Sequence, residues 1–306
     1  MKKFALLLAA AGMIWAQGGA GKQGGAGAGK QGKGGAPAAA PQMISMIKPG
    51  LYVVTGAGGN TTVRVTKDGL IVVDTKNLGD QFYQALMAQI KTVSDKPVKY
   101  VIVTHHHQDH SGNIKQFKDA GATVIANQGL AKALETYNPQ QGKPAQPSVT
   151  YLKDKTVKLG GVKVQVYHFS QGHTGGDSIV YFPDLKVVSA GDDVVGVVPN
   201  IDFPFGGSLI GLQTTLNAIA KLNFDTLVPG HSAPNTITMS KADFMKYKSN
   251  IDTIIARGKE LVKSGTPKDQ LLAKLKTDDL GWNLNTPQWT PSARLDALYE
   301  ELKTAK

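Results

Sequence analysis

Cysteine is absent from the 306-residue chain. That absence excludes disulfides, thiolate metal sites and cysteine nucleophiles together, so any metal is held through nitrogen and oxygen. Acidic residues are missing from the first 41 positions, which carry Lys2, Lys3, Lys22, Lys30 and Lys33. The rest of the chain holds 29 basic and 23 acidic side chains, so the formal net charge of +11 falls to +6 outside that segment. This excess is mild and spread out. No basic run is interleaved with aromatics, which argues against a nucleic-acid partner. Long apolar runs are also missing. The uncharged stretch Phe4 to Trp15 is too short for a stable membrane span. What is present is a hydrophobic fraction of 41%, enough for a sizeable core and incompatible with disorder along the whole chain.

Lys2-Lys3 followed by that apolar stretch reads as a signal peptide within residues 1–20, which predicts a periplasmic or secreted protein. A cut after Ala16 places Ile14 at the −3 position, where a small residue is wanted. A cut after Ala20 places Gly18 there. No cysteine follows the apolar run, so a lipid-modified cysteine anchor is excluded. Residues 17–41 use only Gly, Ala, Gln, Lys and Pro, and ten of these 25 are Gly. With no side chains to bury, the segment reads as a flexible tether. Residues 42–306 then form the folded body.

Strand and helix signals alternate along that body. Leu51–Thr55, Thr61–Thr66 and Leu70–Asp74 are β-rich runs joined by the glycine turns Gly56–Asn60 and Lys67-Asp68-Gly69. Phe82, Leu86, Ile90 and Val93 recur at spacings of four and three, as in an amphipathic helix. Val98–Thr104 is a strongly apolar strand. A helix near Asn113–Ala120, a strand at Thr123–Ala126 and a helix to about Tyr137 follow. Asn138–Ser148 is rich in Pro, Gln and Gly and reads as loop. Strands are expected at Lys155–Leu159, Val162–His168, Ser178–Phe182, Val187–Ala190 and Thr226–Val228. Leu209, Leu212, Leu216 and Ile219 mark a helix, and the pattern is helical from about Lys241. Two similar halves, each of strands and then helix, predict two sheets packed face to face with helices outside.

Four of the seven histidines lie in Thr104-His105-His106-His107-Gln108-Asp109-His110, where the apolar strand runs out into a loop. His105 and His107 point the same way if the segment is extended; Asp109 continues that spacing, and His110 follows at the turn into a helix. His106 then points away, toward solvent or to a supporting position. His173 in Gly172-His173-Thr174, Asp192 in Gly191-Asp192 and His231 in Pro229-Gly230-His231 each sit beside or just after a strand. If those strand ends cluster, five histidines and two aspartates converge, enough for two metal ions. Imidazole and carboxylate suit zinc, iron or manganese. His168 lies in a strand without a partner motif and reads as an ordinary structural histidine.

The motifs His-x-His-x-Asp-His, Gly-His-Thr, Gly-Asp and Pro-Gly-His, in that order over roughly residues 45–235, resemble the metallo-β-lactamase superfamily. The resemblance implies an αββα sandwich with extra C-terminal helices and metals at one edge of its sheets. It places His105, His107 and His173 on a first ion, Asp109, His110 and His231 on a second, Asp192 between them, and Asp74 behind the metal loop. Two Zn2+ per chain are expected, with Fe and Mn as alternatives.

A water on such an ion loses its proton near neutral pH and attacks a carbonyl carbon, with Asp109 orienting it or handling its proton. Two divalent ions offset by Asp109, Asp192 and a hydroxide leave about +1, which favours an anionic small-molecule substrate. The family menu covers β-lactams, lactones, esters, thioesters and phosphodiesters, and includes iron-dependent redox chemistry. One group of β-lactamases carries cysteine at the position of Asp192 and lysine three residues on, where this chain has Val195. That departure speaks against this subgroup, whereas the export signal favours a lactamase or an extracellular lactone hydrolase. Asn200, Phe203 and Phe205 are candidates for the substrate pocket, although both phenylalanines also suit the core. Trp282 and Trp289 either pack on the sandwich or shape that pocket.

Overall fold

The computed structural model describes residues 40–286 and 289–305. The expected signal peptide, and all but the last two residues of the expected tether, lie outside them. The first half contains β1 (Met43–Lys48), β2 (Leu51–Thr55), β3 (Thr61–Val65), β4 (Leu70–Val73), α1 (Asp80–Lys91), β5 (Val98–Ile102), α2 (Gln108–Ser111), α3 (Ile114–Asp119), β6 (Thr123–Asn127), α4 (Gln128–Thr136) and β7 (Val149–Tyr151). The second contains β8 (Asp154–Leu159), β9 (Val162–Tyr167), β10 (Ile179–Phe182), β11 (Val187–Ser189), α5 (Leu209–Ala220), β12 (Thr226–Val228) and β13 (Met239–Ser240). After these come α6 (Lys241–Lys263), α7 (Leu271–Lys274) and α8 (Ser292–Thr304).

β1 to β7 make one sheet in sequence order, antiparallel up to β4 and parallel from β4 onward. The second sheet runs β13-β12-β11-β10-β9-β8, with only β11 and β12 parallel.

Period-two alternation of the strands builds the layers. Ile71, Val73 and Ile102 of the first sheet meet Val180, Phe182 and Val228 of the second in a central core. The neighbours Leu70, Val72 and Val101 point outward and meet Leu86 and Ile90 of α1, Phe117 of α3 and Leu130 of α4. In the second sheet Ile179, Tyr181 and Val188 point outward, onto Leu212 and Leu216 of α5 and Ile251 and Ile255 of α6. Strands buried on both faces have to read as continuous apolar runs, and β4 and β10 do. The result is the four-layer αββα sandwich.

Three strands go beyond the sequence reading: β1, β7 and β13. All three are the outermost of their sheets, at one edge or the other. Trp289 and Trp282 pack on the outer core of the second sheet. No helix among the described residues is long and apolar enough to cross a membrane.

Candidate metal centre

β5 ends at Ile102 and delivers the histidine stretch to one rim of the sandwich. The extended path lasts only to His107, whose φ of −58° and ψ of 142° start the single turn of α2. Asp109 and His110 therefore reach the site from a helical turn, which corrects the expectation that Asp109 simply continues the strand spacing. His173 lies between β9 and β10. Asp192 follows β11 in a short 3-10 turn, and His231 follows β12.

These residues converge as four overlapping groups whose ligand atoms lie within 4.8 Å of one another: His105, His107 and His173; His105, His110 and Asp192; Asp109, His110 and His231; and His106, His107 and Asp202. Asp192 stands between the first and third groups. Its Oδ2 is 4.0 Å from His105 Nε2, 3.7 Å from His173 Nε2 and 3.5 Å from His231 Nε2, and its Oδ1 is 3.3 Å from His110 Nε2. Asp109 Oδ2 lies 3.2 Å from His231 Nε2 and 3.6 Å from His110 Nε2.

The outer ring nitrogens are held from behind. Asp74 accepts from the backbone N–H and the hydroxyl of Thr104 at 2.7 and 2.8 Å and from His110 Nδ1 at 2.8 Å. Since that hydroxyl donates to Asp74, its oxygen accepts from His105 Nδ1 at 3.0 Å. Asn200 O accepts from His173 Nδ1 at 2.6 Å, and Asp202 Oδ2 accepts from His107 Nε2 at 2.8 Å. For His105, His107 and His173 these contacts select a tautomer and leave the inner nitrogen with its lone pair pointing into the centre.

Those inner atoms test whether a cation fits. His173 Nε2 and His107 Nδ1 face each other at 2.9 Å, a contact two lone pairs make only with a proton or a cation to share. Burial, reinforced by His107, lowers the His173 imidazole to about 4, so at neutral pH it does not supply the proton itself. His105 Nε2 and Asp192 Oδ1 are buried without a hydrogen-bond partner. Burial also holds the His105 imidazole well below its usual value. Around the third group the balance reverses. Burial disfavours a charged His110, but Asp192, Asp109 and Asp74 outweigh it and hold that imidazole well above its usual value. His231 is raised against burial by Asp192 and Asp109. Burial likewise works against ionised Asp109 and Asp192, yet the facing imidazoles keep both carboxyls below their usual range. The donor set of imidazoles and carboxylates fits a borderline divalent ion such as zinc.

Two glycines let backbone approach this centre. A Cβ on Gly59 would lie 2.1 Å from His110 Cε1, and one on Gly230 would lie 1.9 Å from Asp192 Oδ1. The Gly56–Asn60 turn is thereby pressed onto the third group, with Gly59 N donating to Asp109 O at 3.1 Å and Asn60 N to Gly230 O at 2.7 Å.

His106 is fully buried, between Tyr137 and Phe205 at ring separations of 4.7 and 4.6 Å, which overturns the solvent-facing option. His168 Nδ1 contacts Asp177 O at 2.9 Å and belongs to none of the groups. Phe203 packs against the outer core of the second sheet. The Asn200 side chain accepts from Arg294 at 2.9 Å. Two contributors escaped the sequence reading. Asp202 lies between the candidates Asn200 and Phe203, and an acid in an otherwise apolar loop was its only signal. Lys76 is fully buried and donates to Val54 O at 2.6 Å and Gly59 O at 2.7 Å.

The metallo-beta-lactamase superfamily profile matches residues 54–231. A metallo-beta-lactamase type 2 of Elizabethkingia meningoseptica is 29% identical over 156 residues, 48% of this chain and 60% of that protein. The metallo-beta-lactamase IND-1 of Chryseobacterium indologenes is 32% identical over 139 residues, 43% of this chain and 53% of that protein. The chain thus spans little more than half the length of these curated relatives. Among solved structures, a metallo-beta-lactamase from Pontibacter korlensis superposes with a TM-score of 0.59 at 22% identity, covering 69% of this chain and 99% of that one. A stereoselective inverting sec-alkylsulfatase from Pseudomonas sp. superposes with a TM-score of 0.62 at 16% identity, covering 84% and 47%. At such identities both likenesses speak to the fold. Because the family profile covers more than half of the chain, this protein belongs to the metallo-β-lactamase superfamily.

Proposed function

We propose that the chain is an exported, zinc-dependent hydrolase that holds two ions and opens the carbonyl of a β-lactam, lactone, ester or thioester. The observation that carries this reading is the convergence of inward-facing imidazole nitrogens on Asp192, with outer nitrogens anchored by Asp74, Thr104, Asn200 O and Asp202. His105, His107 and His173 would hold one ion and Asp109, His110 and His231 the other, with Asp192 serving both. Zinc at such a site supplies a nucleophilic oxygen at neutral pH and a Lewis acid for the carbonyl oxygen.

The chain's own residues supply the rest. Asp109, the most exposed of the ligand carboxylates, stays ionised beside His110 and His231 and is placed to accept a proton at its Oδ atoms. The buried network behind the imidazoles keeps them from turning. The charge balance of two ions against Asp109 and Asp192 favours an anionic substrate.

Elemental analysis of the purified protein, with turnover of a chromogenic cephalosporin and a simple lactone, tests the reading. About two zincs per chain and turnover of either compound are expected. His105→Ala and Asp192→Ala should lose metal and activity, and His168→Ala should keep both. One iron per chain with no hydrolysis after zinc loading would replace the hydrolase by a redox enzyme of the same fold.

A further inference from the structure

The loop from Pro199 to Ser208 is gripped from two sides. On its inner side it serves two histidines of the first group. Asn200 O accepts from His173 Nδ1 at 2.6 Å, Asp202 N donates to His173 O at 2.8 Å, and Asp202 Oδ2 accepts from His107 Nε2 at 2.8 Å. On its outer side it is held by residues far along the chain. The buried Trp289 donates its indole N–H to Pro199 O at 2.9 Å, and Arg294 Nη1 donates to Asn200 Oδ1 at 2.9 Å. Further along α8, Glu301 accepts from Leu209 N at 2.9 Å and from the Ser208 hydroxyl.

The loop pairs with neither sheet, so no ladder fixes its peptide planes. The plane of Pro199 C=O precedes Asn200 and is set by Trp289. The Asn200 side chain is set by a charge-assisted bond to Arg294. These contacts hold the chain entering Asn200 and its side chain, and the bond from Asp202 N to His173 O holds the chain leaving it; together they aim Asn200 O, the acceptor that orients His173. Trp289, Arg294 and Glu301 all lie beyond the family-matched residues 54–231.

We propose that Trp289 and Arg294 are positioning residues, a C-terminal clamp that aims His173 and His107 at the first metal ion through Pro199, Asn200 and Asp202. The proposal rests on the reading of His105, His107 and His173 as ligands of one ion. An outer-shell contact of this kind is worth about 10-fold in metal affinity at the low end.

The test uses the full chain and reads zinc affinity by competition with a chromogenic chelator, together with the absorption spectrum of the cobalt-loaded protein. Trp289→Phe, which keeps a ring but loses the donor, and Arg294→Ala should each weaken the first ion by about 10-fold and shift the cobalt bands. Arg294→Lys should recover part of both. Arg257→Ala breaks a two-point ion pair to Asp279 in the same helical region and should change neither. Parental affinity and spectrum in both Trp289→Phe and Arg294→Ala would overturn the clamp. An equal loss in Arg257→Ala would also overturn it, because the effect would then be general loosening. His173→Ala separates the two levels of argument. If it binds zinc as tightly as the parent, the ligand reading falls and the clamp with it; if it loses zinc while the clamp variants do not, the clamp alone falls.

Discussion

Lys76 shows at the scale of one residue what the neighbourhood of the centre costs. Its backbone sits at φ +68°, a conformation unfavourable for a side chain of its type, and its ammonium is buried completely. Burial pulls the amine down to about 7, against the opposing pull of Asp74 and Asp109. A neutral amine still has two N–H groups for Val54 O and Gly59 O, so the tie to the Gly56–Asn60 turn survives deprotonation. The pH dependence follows. Between about 7 and the unfolded value of about 10.4, the unfolded chain holds a proton at this position that the native chain lacks, so native stability rises with pH by at most about 1.4 kcal/mol per unit. Below about 7 both states are protonated and the contribution is flat. Lys76→Met should remove this rise, seen as a flatter urea midpoint of the metal-free protein between pH 7 and 9.5; parallel curves for the two proteins would refute it. At this scale the clustering histidines and aspartates were legible, because each stands in a short motif beside glycine or a strand. Lys76 carried no signal, since nothing in a sequence marks a lysine whose partners are backbone carbonyls, and the one signal of Asp202, an acid in an apolar loop, did not point to a histidine 95 positions away.

Elements were legible in proportion to the burial they carry. β4, β5 and β10 announce themselves as apolar runs, and β12 was placed at its observed limits. β1 exposes Met43 and Met46, β7 has three residues and β13 two, so their pairing comes from the neighbouring strand and not from their own pattern. The single turn of α2 was missed because four residues cannot show a helical period. The contacts of the Gly56–Asn60 turn explain its small residues. Gly59 has no positive φ, so its lack of a side chain serves space alone: His110, pinned by Asp74, cannot retreat from a Cβ 2.1 Å from its ring. Gly59→Ala should cost about 1–3 kcal/mol of stability by overpacking. It should also weaken metal binding at Asp109, His110 and His231 by about 10-fold, while His105, His107 and His173 keep theirs. Calorimetric zinc titration reads both sites, and unaltered binding at both would show that the turn yields more easily than its contacts imply.

The whole molecule divides the proposed ligands between its two sheets. His105, His107, Asp109 and His110 follow β5 of the first; His173 lies in the loop between β9 and β10, Asp192 follows β11 and His231 follows β12 of the second. Each proposed ion therefore joins one sheet to the other, in addition to the central core around Ile71, Ile102, Val180 and Phe182. The metal-free protein keeps three apolar cores, so it should stay folded, but it also keeps buried imidazoles facing one another and the orphaned His105 Nε2. Each ion that binds only the native state adds about 4 kcal/mol when free zinc is about 1,000 times its dissociation constant, so two add about 8 kcal/mol. In a body of this size that amounts to about 16–32 °C in thermal midpoint. Scanning calorimetry with zinc and after chelation should show a drop of that order with a single transition in both cases. An unchanged midpoint would mean that the ions do not join the sheets, and two transitions after chelation would mean that the central core alone does not couple them.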